Sequence, residues 1–517
     1  MDRLTSPIAF DNSYAQLPEN FFVRTAPTPV QAPSLLSLNE PLAHSLGICV
    51  QWLRSTNGIA ALGGNAVPAG ADPLAMAYAG HQFGHFVPQL GDGRAILMGE
   101  VVDDQGIRQD LQWKGSGRTP FSRGGDGRNW IGPVLREFVL SEAMAALGVP
   151  TTRALAAVAT GEQVLREQPR PGAVLLRVAR SHVRVGTFQY FTARRDDAAI
   201  AALARYVAER HYPDTLSAQS PALALLDAVV AAQAALVAHW QSIGFIHGVM
   251  NTDNSSITGD TIDYGPCAFM DEYVPDKVFS SIDHGGRYAY SNQPHLAQWN
   301  LANLAQCLLP LIERDIRGDG ASRDTASTDT VRQSVQDADT DACRQAAVDA
   351  AQASVDAFTG LFDAAWLERF SRKLGIESPR EEDASLARDL LDIMAAGSAD
   401  FTLTFRHLGA TADVARDAFD DPGQFDAWQA RLLTRVSEEA RPAADRQRDM
   451  QRVNPAVIPR NHQVEAMIRS AIDENDLEPL ENMLATLADP FDERAERSFL
   501  ATPPEVVERV TQTFCGT

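Results

Sequence analysis

The stretch His247–Gly265, HGVMNTDNSSITGDTIDYG, decides how this chain is read. Ser256, Ile257 and Thr258 form one β-prone run, Thr261 and Ile262 form another, and Gly259-Asp260 lies between them as a turn dipeptide. The spacing predicts a hairpin that brings Asp253 and Asn254 at its entrance close to Asp263 at its exit. Two oxygen ligands and a further carboxylate then share one small volume. Such a set suits a hard divalent ion such as Mg²⁺, which takes few protein oxygens and completes its shell with water and phosphate oxygens.

The same order of residues is found in the catalytic and metal loops of protein-kinase-like enzymes, where an HxD…N loop precedes a D-[FY]-G turn. One position breaks the pattern. The kinase-type base stands five residues before the Asn, and here that residue is Val249, which accepts no proton. The nearby carboxylate is Asp253, immediately before Asn254. The metal half of the site is intact and the base half is rebuilt or lost. A polar hairpin whose Asp and Asn only cap turns is the plain alternative. His-Gly upstream and Asp-Tyr-Gly downstream weigh against it.

Bulk properties narrow the function classes. At 517 residues the chain has room for two or three domains or subdomains. A net charge of −22 argues against a general nucleic-acid or membrane-surface binder. No apolar run is read as a membrane span, and the start, MDRLTSPIAFDNSY, has neither a signal core nor a transit pattern, so a cytoplasmic location is expected. Five cysteines without a C-x-x-C make a zinc site or a disulfide framework unlooked for. Cys515, near the C-terminus, is a redox candidate as well as an ordinary exposed thiol.

Upstream, Gly91-Asp92-Gly93 is a tight turn followed by Arg94 and a strand. Its glycines allow backbone amides close to an anion, although alone such a string is more often a plain hairpin turn. His81 and His85 are four apart, but Gly80 and Gly84 disfavour a metal-binding helix, and a structural role is expected for both. Leu111–Lys114 reads as a strand that delivers Lys114, one of only three lysines, into a site. A loop rich in Gly and Arg follows, with Arg118, Arg123, Asp126, Gly127 and Arg128. Residues 91–190 hold 13 Lys/Arg against 10 Asp/Glu, a basic island in an acidic chain that points to an anion site. Residues 133–147 are a predicted helix with Pro133 in its first turn and Gly148 after its end. Glu137 on that helix follows Lys114 by 23 residues, as in the lysine–glutamate pair of kinase-like enzymes. Residues 174–180 form a buried-looking strand carrying Arg177, with Arg184 beyond it. Arginines in such places bind phosphate or pair with a carboxylate, and spacing alone does not separate the two.

Short helices are expected around Leu35–Leu46, and longer ones at 197–212, 220–243 and 295–315. Residues 316–345 read as a polar insertion or linker, and 347–517 as helical throughout. The fold class is α+β: a protein-kinase-like two-lobed fold with an N-terminal extension (1–75), an N-lobe (76–195), a C-lobe (196–345) and additional C-terminal helices (346–517).

YAGHQFGHFVPQLGDGR, LQWKGSGRTPFSRGGDGR, HGVMNTDN and TIDYGP, with the FDNSYAQLP start and the Cys-Gly-Thr tail, closely resemble the selenoprotein O family over nearly the whole chain. The resemblance implies a pseudokinase-like fold that acts as a protein adenylyltransferase. ATP would bind inverted, so that AMP passes to a protein Ser, Thr or Tyr, the chain's own included, and pyrophosphate leaves. It implies Asp253 as proton acceptor and Asn254 and Asp263 as ligands of Mg²⁺ or Mn²⁺. It implies Gly91, Gly93, Arg94, Lys114, Asp126, Gly127, Arg177 and Arg184 as nucleotide-binding residues, joined by Asp263, with Glu137 supporting Lys114. Ser255 stands where the resemblance leads one to expect Met, and Cys515 where some members carry selenocysteine. Cys267, two residues past the DYG turn, is the candidate redox partner nearest the site. A conventional phosphotransferase and a non-catalytic ATP-binding scaffold are the competing readings. Val249 counts against the first, and the retained Lys114, Glu137, Asn254 and Asp263 against the second.

Overall fold

The computed structural model describes residues 7–318 and 330–514, apart from 411, 418 and 420. Its largest sheet begins with β1 (Phe22–Arg24), β2 (Ser34–Leu38) and β3 (Leu74–Met76). A separate small hairpin, β4 (Gly80–Gln82) with β5 (His85–Val87), follows. The sheet resumes with β6 (Ala95–Val102), β7 (Arg108–Lys114), β8 (Asn129–Trp130), β9 (Arg153–Leu165) and β10 (Pro169–Ala179). The strand order is β1-β3-β6-β7-β10-β9-β2, with β8 also on β10, and the pairs are antiparallel. Residues 1–75 thus supply β1 and β2 to this sheet. Leu35–Leu38, expected to be helical, lie in β2. The helix starts only at Glu40, where the Asn39 side chain accepts from the Leu42 N–H at 3.1 Å and caps it.

Alternation in β7 and β10 explains how a strand with a polar residue in an apolar run fits this sheet. Leu111, Trp113, Val174, Leu176 and Val178 pack on one face, against the helices α1 (Glu40–Ser45), α2 (Val50–Leu53) and α3 (Thr56–Leu62). The register sets Lys114 opposite Ala95 and Leu175, and Gln112 opposite Leu97 and Arg177. Gln112, Lys114 and Arg177 therefore share the other face, which is covered by α4 (Ile131–Ala146). Val134, Leu135, Phe138 and Val139 of α4 bury their apolar side against it.

The helical region continues with α5 (Val185–Thr192), α6 (Asp197–His211), α7 (Pro221–Ser242), α8 (Gln293–Arg317) and α9 (Thr330–Lys373). Between α7 and α8 lie two short strands, β11 (Phe245–Ile246) and β12 (Ala268–Phe269), paired with each other. α7 is long and apolar enough to cross a membrane by length and composition. The sequence reading had no such run. In the fold α7 packs against α8 and α9, with Leu226, Val229, Val230 and Val237 in the core.

The expected polar linker is also corrected. Residues 319–329 lie outside the described residues, but from Thr330 onward the chain is the helix α9, so the expected boundary at 345/346 falls inside one element. The remaining helices are α10 (Asp383–Ala396), α11 (Phe401–Leu408), α12 (Ala412–Arg416), α13 (Pro422–Ser437), α14 (Ala443–Val453), α15 (Asn461–Arg469) and α16 (Glu478–Leu487). Val464 and Met467 of α15, with Leu480, Met483 and Leu487 of α16, complete the core cluster around α4. The C-terminal helices therefore brace the helix that carries Glu137.

Candidate active site

The predicted hairpin within residues 256–262 does not form. Ser256 bridges Arg184 instead, and Thr261 bridges Thr151. Val185 N–H donates to Ser255 O at 2.9 Å, and Thr152 N–H to Thr261 O at 2.9 Å. The β-prone residues satisfy their backbone groups on segments distant in sequence, which supply the same hydrogen bonds as a hairpin would. The Gly259-Asp260 turn remains, with Gly259 at φ +69° and Asp260 held by the Arg180 guanidinium at 2.5–3.1 Å. His247 ties the loop ends together. Its Nε2 lies 2.9 Å from Ile262 O, and its Nδ1 accepts from Val249 N–H at 3.3 Å.

This loop and the sheet enclose a cleft of about 470 Å³, within the range of small-molecule sites. Gly91, Gly93, Arg94, Asp126, Gly127, Asp253, Asn254 and Asp263 line it, together with Val249. Lys114, Arg177 and Arg184 form a buried layer behind it. Lys114 Nζ donates to Glu137 Oε2 at 2.5 Å and to Asp263 Oδ1 at 3.0 Å, which links α4, β7 and the DYG turn. Arg177 donates to Glu137 Oε1 at 3.3 Å and to Gln112 Oε1 at 2.5 Å. Arg177 thereby shares the Glu137 carboxylate with Lys114. Arg184 donates to the backbone carbonyl of Asp253 at 2.9 Å and lies 4.4 Å over the Tyr78 ring.

The two carboxylates of the loop are driven apart in acidity. Burial raises Asp253 to about 6, against the lowering pull of its own backbone, Arg184 and Gln82. Burial also acts on Asp263, but Lys114, Arg94 and Arg177 outweigh it and hold that carboxyl well below the usual range. At neutral pH Asp263 is a fixed anion and Asp253 sits close to its titration point, the division expected of a ligand and a proton acceptor. Asp253 Oδ2 has Gln82 Nε2 at 3.4 Å, and Oδ1 is buried without a partner. A Cβ at Gly80 would lie 2.3 Å from that Oδ1, so a side chain there collides with the carboxylate.

Asn254 Nδ2 donates to Val249 O at 3.1 Å, which leaves the amide oxygen for a ligand. No cluster of three or more His, Cys, Asp or Glu forms a metal cage among the described residues. The hard oxygens of Asn254 and Asp263, with the orphan oxygen of Asp253 beside them, fit an ion that keeps most of its shell for water and phosphate.

The glycine loops interlock. Gly127, at φ +67°, has Gly117 O 2.0 Å from where a Cβ would stand. Asp92 turns inward, where its Oδ2 accepts from Met76 N–H at 3.1 Å and Gln112 Nε2 at 3.2 Å. The Gly91–Arg94 turn is thereby anchored from below. Asp126 is held by Arg166 at 2.8 and 3.2 Å and by Arg128 N–H at 2.9 Å.

Tyr78, Gln82, Asp92, Asn251 and Arg166 are parts of this site that sequence reasoning did not single out. The GDGR and YAGHQ strings contained three of them. For Arg166, 40 residues from Asp126 in the β9–β10 turn, no spacing signal existed. Ser255 is turned away from the cleft and accepts from Asn300 Nδ2 at 2.6 Å. His81, in the β4–β5 hairpin, has its Nδ1 2.8 Å from Gln189 Nε2. Burial pushes the Cys267 thiol up to about 12, so it is protonated and unreactive where it stands. Cys515 lies outside the described residues.

Comparison with known proteins agrees with this geometry. The model of the family described as protein adenylyltransferase SelO matches residues 5–488. A relative from Rhodopseudomonas palustris (strain HaA2), named protein nucleotidyltransferase YdiU, is 54% identical over 520 residues, 99% of this chain and 100% of the relative. One of the same name from Bradyrhizobium sp. (strain ORS 278) is 53% identical over 519 residues, again 99% and 100% of the two chains. The chain belongs to the protein adenylyltransferase SelO family.

Proposed function

We propose that this cleft transfers AMP from ATP to the hydroxyl of a protein Ser, Thr or Tyr, with the chain itself among the acceptors. The acceptor oxygen bonds to the α-phosphorus as the bond from that phosphorus to the β-bridging oxygen breaks. Pyrophosphate leaves with the electron pair, and the hydroxyl proton passes to Asp253. One observation carries this reading: a buried carboxylate raised to about 6 lines the cleft at Asp253, while the kinase-type base position is Val249. An acceptor hydroxyl at Asp253 rather than at position 249 fits an ATP bound with its α-phosphate at the reacting end.

Charge on the phosphates is met from three sides. Lys114, Arg94, Arg177 and Arg184 surround the site from behind and beside it, and Asp263 holds Lys114 in place. Gly91, Gly93 and Gly127 line the cleft without side chains, which leaves room there for phosphates. Asn254 and Asp263 are the residues that would hold Mg²⁺ or Mn²⁺. Bound there, the ion neutralises developing charge on phosphate oxygens. As a family member the chain is a nucleotidyltransferase. Its net charge of −22 supports a protein acceptor rather than a nucleic acid. Four unpaired cysteines among the described residues, Cys49, Cys267, Cys307 and Cys343, support a reducing, cytoplasmic setting.

The test is intact-mass spectrometry of the protein and of acceptor proteins after incubation with ATP and either ion. A gain of AMP in the wild type and none with Asp253→Asn is expected. A gain of phosphate alone would overturn the reading.

A further inference from the structure

The hairpin β4–β5 borders the cleft through Gln82, and a cation the chemistry does not use stands against its tip. Gln82, in β4, places its amide 3.4 Å from Asp253 Oδ2. Gln82 pairs with His85, so Phe83-Gly84 is the turn. Arg287 Cζ lies 3.6 Å from the position a Cβ would take at Gly84. The guanidinium stacks 5.0 Å over Trp299 and 5.9 Å over Tyr288, and its buried Nε has no hydrogen-bond partner. No ion pair to Arg287 occurs among the described residues. The near carboxylate, Asp283, is taken by the backbone N–H groups of Arg287 and Tyr288 at 3.0 and 2.7 Å. Arg287 is also not among the residues that line the nucleotide cleft. Tyr288 donates to Asn251 Oδ1 at 2.5 Å, and Phe83 N–H donates to the same oxygen at 3.1 Å, so Arg287, the turn and the Asp253 loop form one connected wall. Phe86 stands 41% exposed on the adjoining strand.

A cation with aromatic stacking and no carboxylate, just outside a site built for protein hydroxyls, fits an acidic side chain brought by the acceptor. We propose that Arg287 selects acceptor segments carrying Asp or Glu close to the hydroxyl that receives AMP. The inference rests on the AMP-transfer reading above. Gly84 is two residues from Gln82, about 7 Å of chain, and an extended acceptor advances about 3.3 Å per residue. The acid is therefore placed roughly two to four residues from the acceptor.

The test uses the full-length protein, ATP labelled on the α-phosphate, and peptides with one acceptor hydroxyl flanked by Glu, Gln or Lys at those positions. The wild type is expected to favour Glu over Gln by about tenfold in kcat/KM, the size of one partly desolvated charge pair. Arg287→Gln is expected to erase the preference with KM for ATP unchanged, and Arg287→Glu to reverse it toward Lys. Equal Glu-to-Gln ratios in wild type and Arg287→Gln would overturn the inference with AMP transfer intact. So would an equal loss on every peptide, the mark of a merely structural stack. If no α-label reaches any peptide or the protein itself, the AMP-transfer reading fails, and the inference with it.

Discussion

Replacing Asp253 by Asn is expected to end catalysis and at the same time to stabilise the fold, with a pH dependence that identifies the cause. Asp253 has an ordinary value of 3.8 in the unfolded chain and about 6 in the folded one, raised chiefly by burial. The folded state therefore binds the proton more tightly than the unfolded state. Stability from this group is full below its unfolded value and falls as pH rises from about 4 to 6. Above that window the folded protein carries a penalty of roughly 3 kcal/mol, about two pKa units at 1.36 kcal/mol each. An asparagine has no charge to desolvate and can turn its oxygen toward Gln82, as the carboxylate does. Allowing for an imperfect fit of the new amide, Asp253→Asn is expected to gain about 1–3 kcal/mol near pH 7.5 and close to nothing near pH 4. Urea denaturation of nucleotide-free and metal-free protein at both pH values measures this. A variant less stable than wild type near pH 7.5, or one with the same change at both pH values, would refute the reasoning.

Other outcomes follow from the same geometry. Glu137→Gln leaves the shape but removes the charge shared by Lys114 and Arg177; a loss of about 3–5 kcal/mol in stability, with at least a hundredfold fall in AMP transfer, is expected from denaturation and label-transfer assays. In Gly127→Ala the new methyl meets Gly117 O at 2.0 Å in a left-handed backbone, so KM for ATP is expected to rise more than tenfold, as initial rates will show. Arg166→Met frees Asp126 and is expected to raise KM for ATP with little change in kcat, whereas Arg166→Lys restores only part of the loss because it cannot hold the carboxylate with two nitrogens. The pH profile of kcat/KM is expected to fall below about pH 6 as Asp253 protonates, and a profile flat through that range would exclude it as the base.

The parts legible in the sequence were those whose chemistry demands given residue types at short spacings. Asp253-Asn254, the DYG turn, the GDGR turn and Lys114 were all visible in this way, and the long helices followed their apolar period. What stayed hidden depended on partners far along the chain. The β-prone residues 256–262 paired with Arg184 and Thr151 rather than with each other, because those segments lie alongside in the fold. The consequence drawn from the hairpin, that the loop's two ends meet, nevertheless matches a cleft lined by both. The start of α9 reads as a linker because residues 330–345 are rich in Asp, Gln, Thr and Arg, with Val331 and Val335 as their larger aliphatic residues. An apolar period is legible only farther along, where Ala347, Ala351, Val355 and Phe358 are buried. Leu35–Leu38 were ambiguous because a short apolar run next to a capping residue suits either a strand or a helix, and only pairing with β9 decides it. The role of Arg287 had no sequence signal, since an arginine in an irregular stretch is ordinary until its missing carboxylate is seen.

The central claim is that the phosphorus attacked is the one next to the ribose. The most direct measurement incubates the protein and a cell extract with ATP labelled on the α-phosphate and, separately, on the γ-phosphate, with Mg²⁺ or Mn²⁺, beside Asp253→Asn. Protein-bound α-label without γ-label, lost in the variant, is the predicted result. Protein-bound γ-label in the wild type would contradict it and make the cleft a phosphotransferase site.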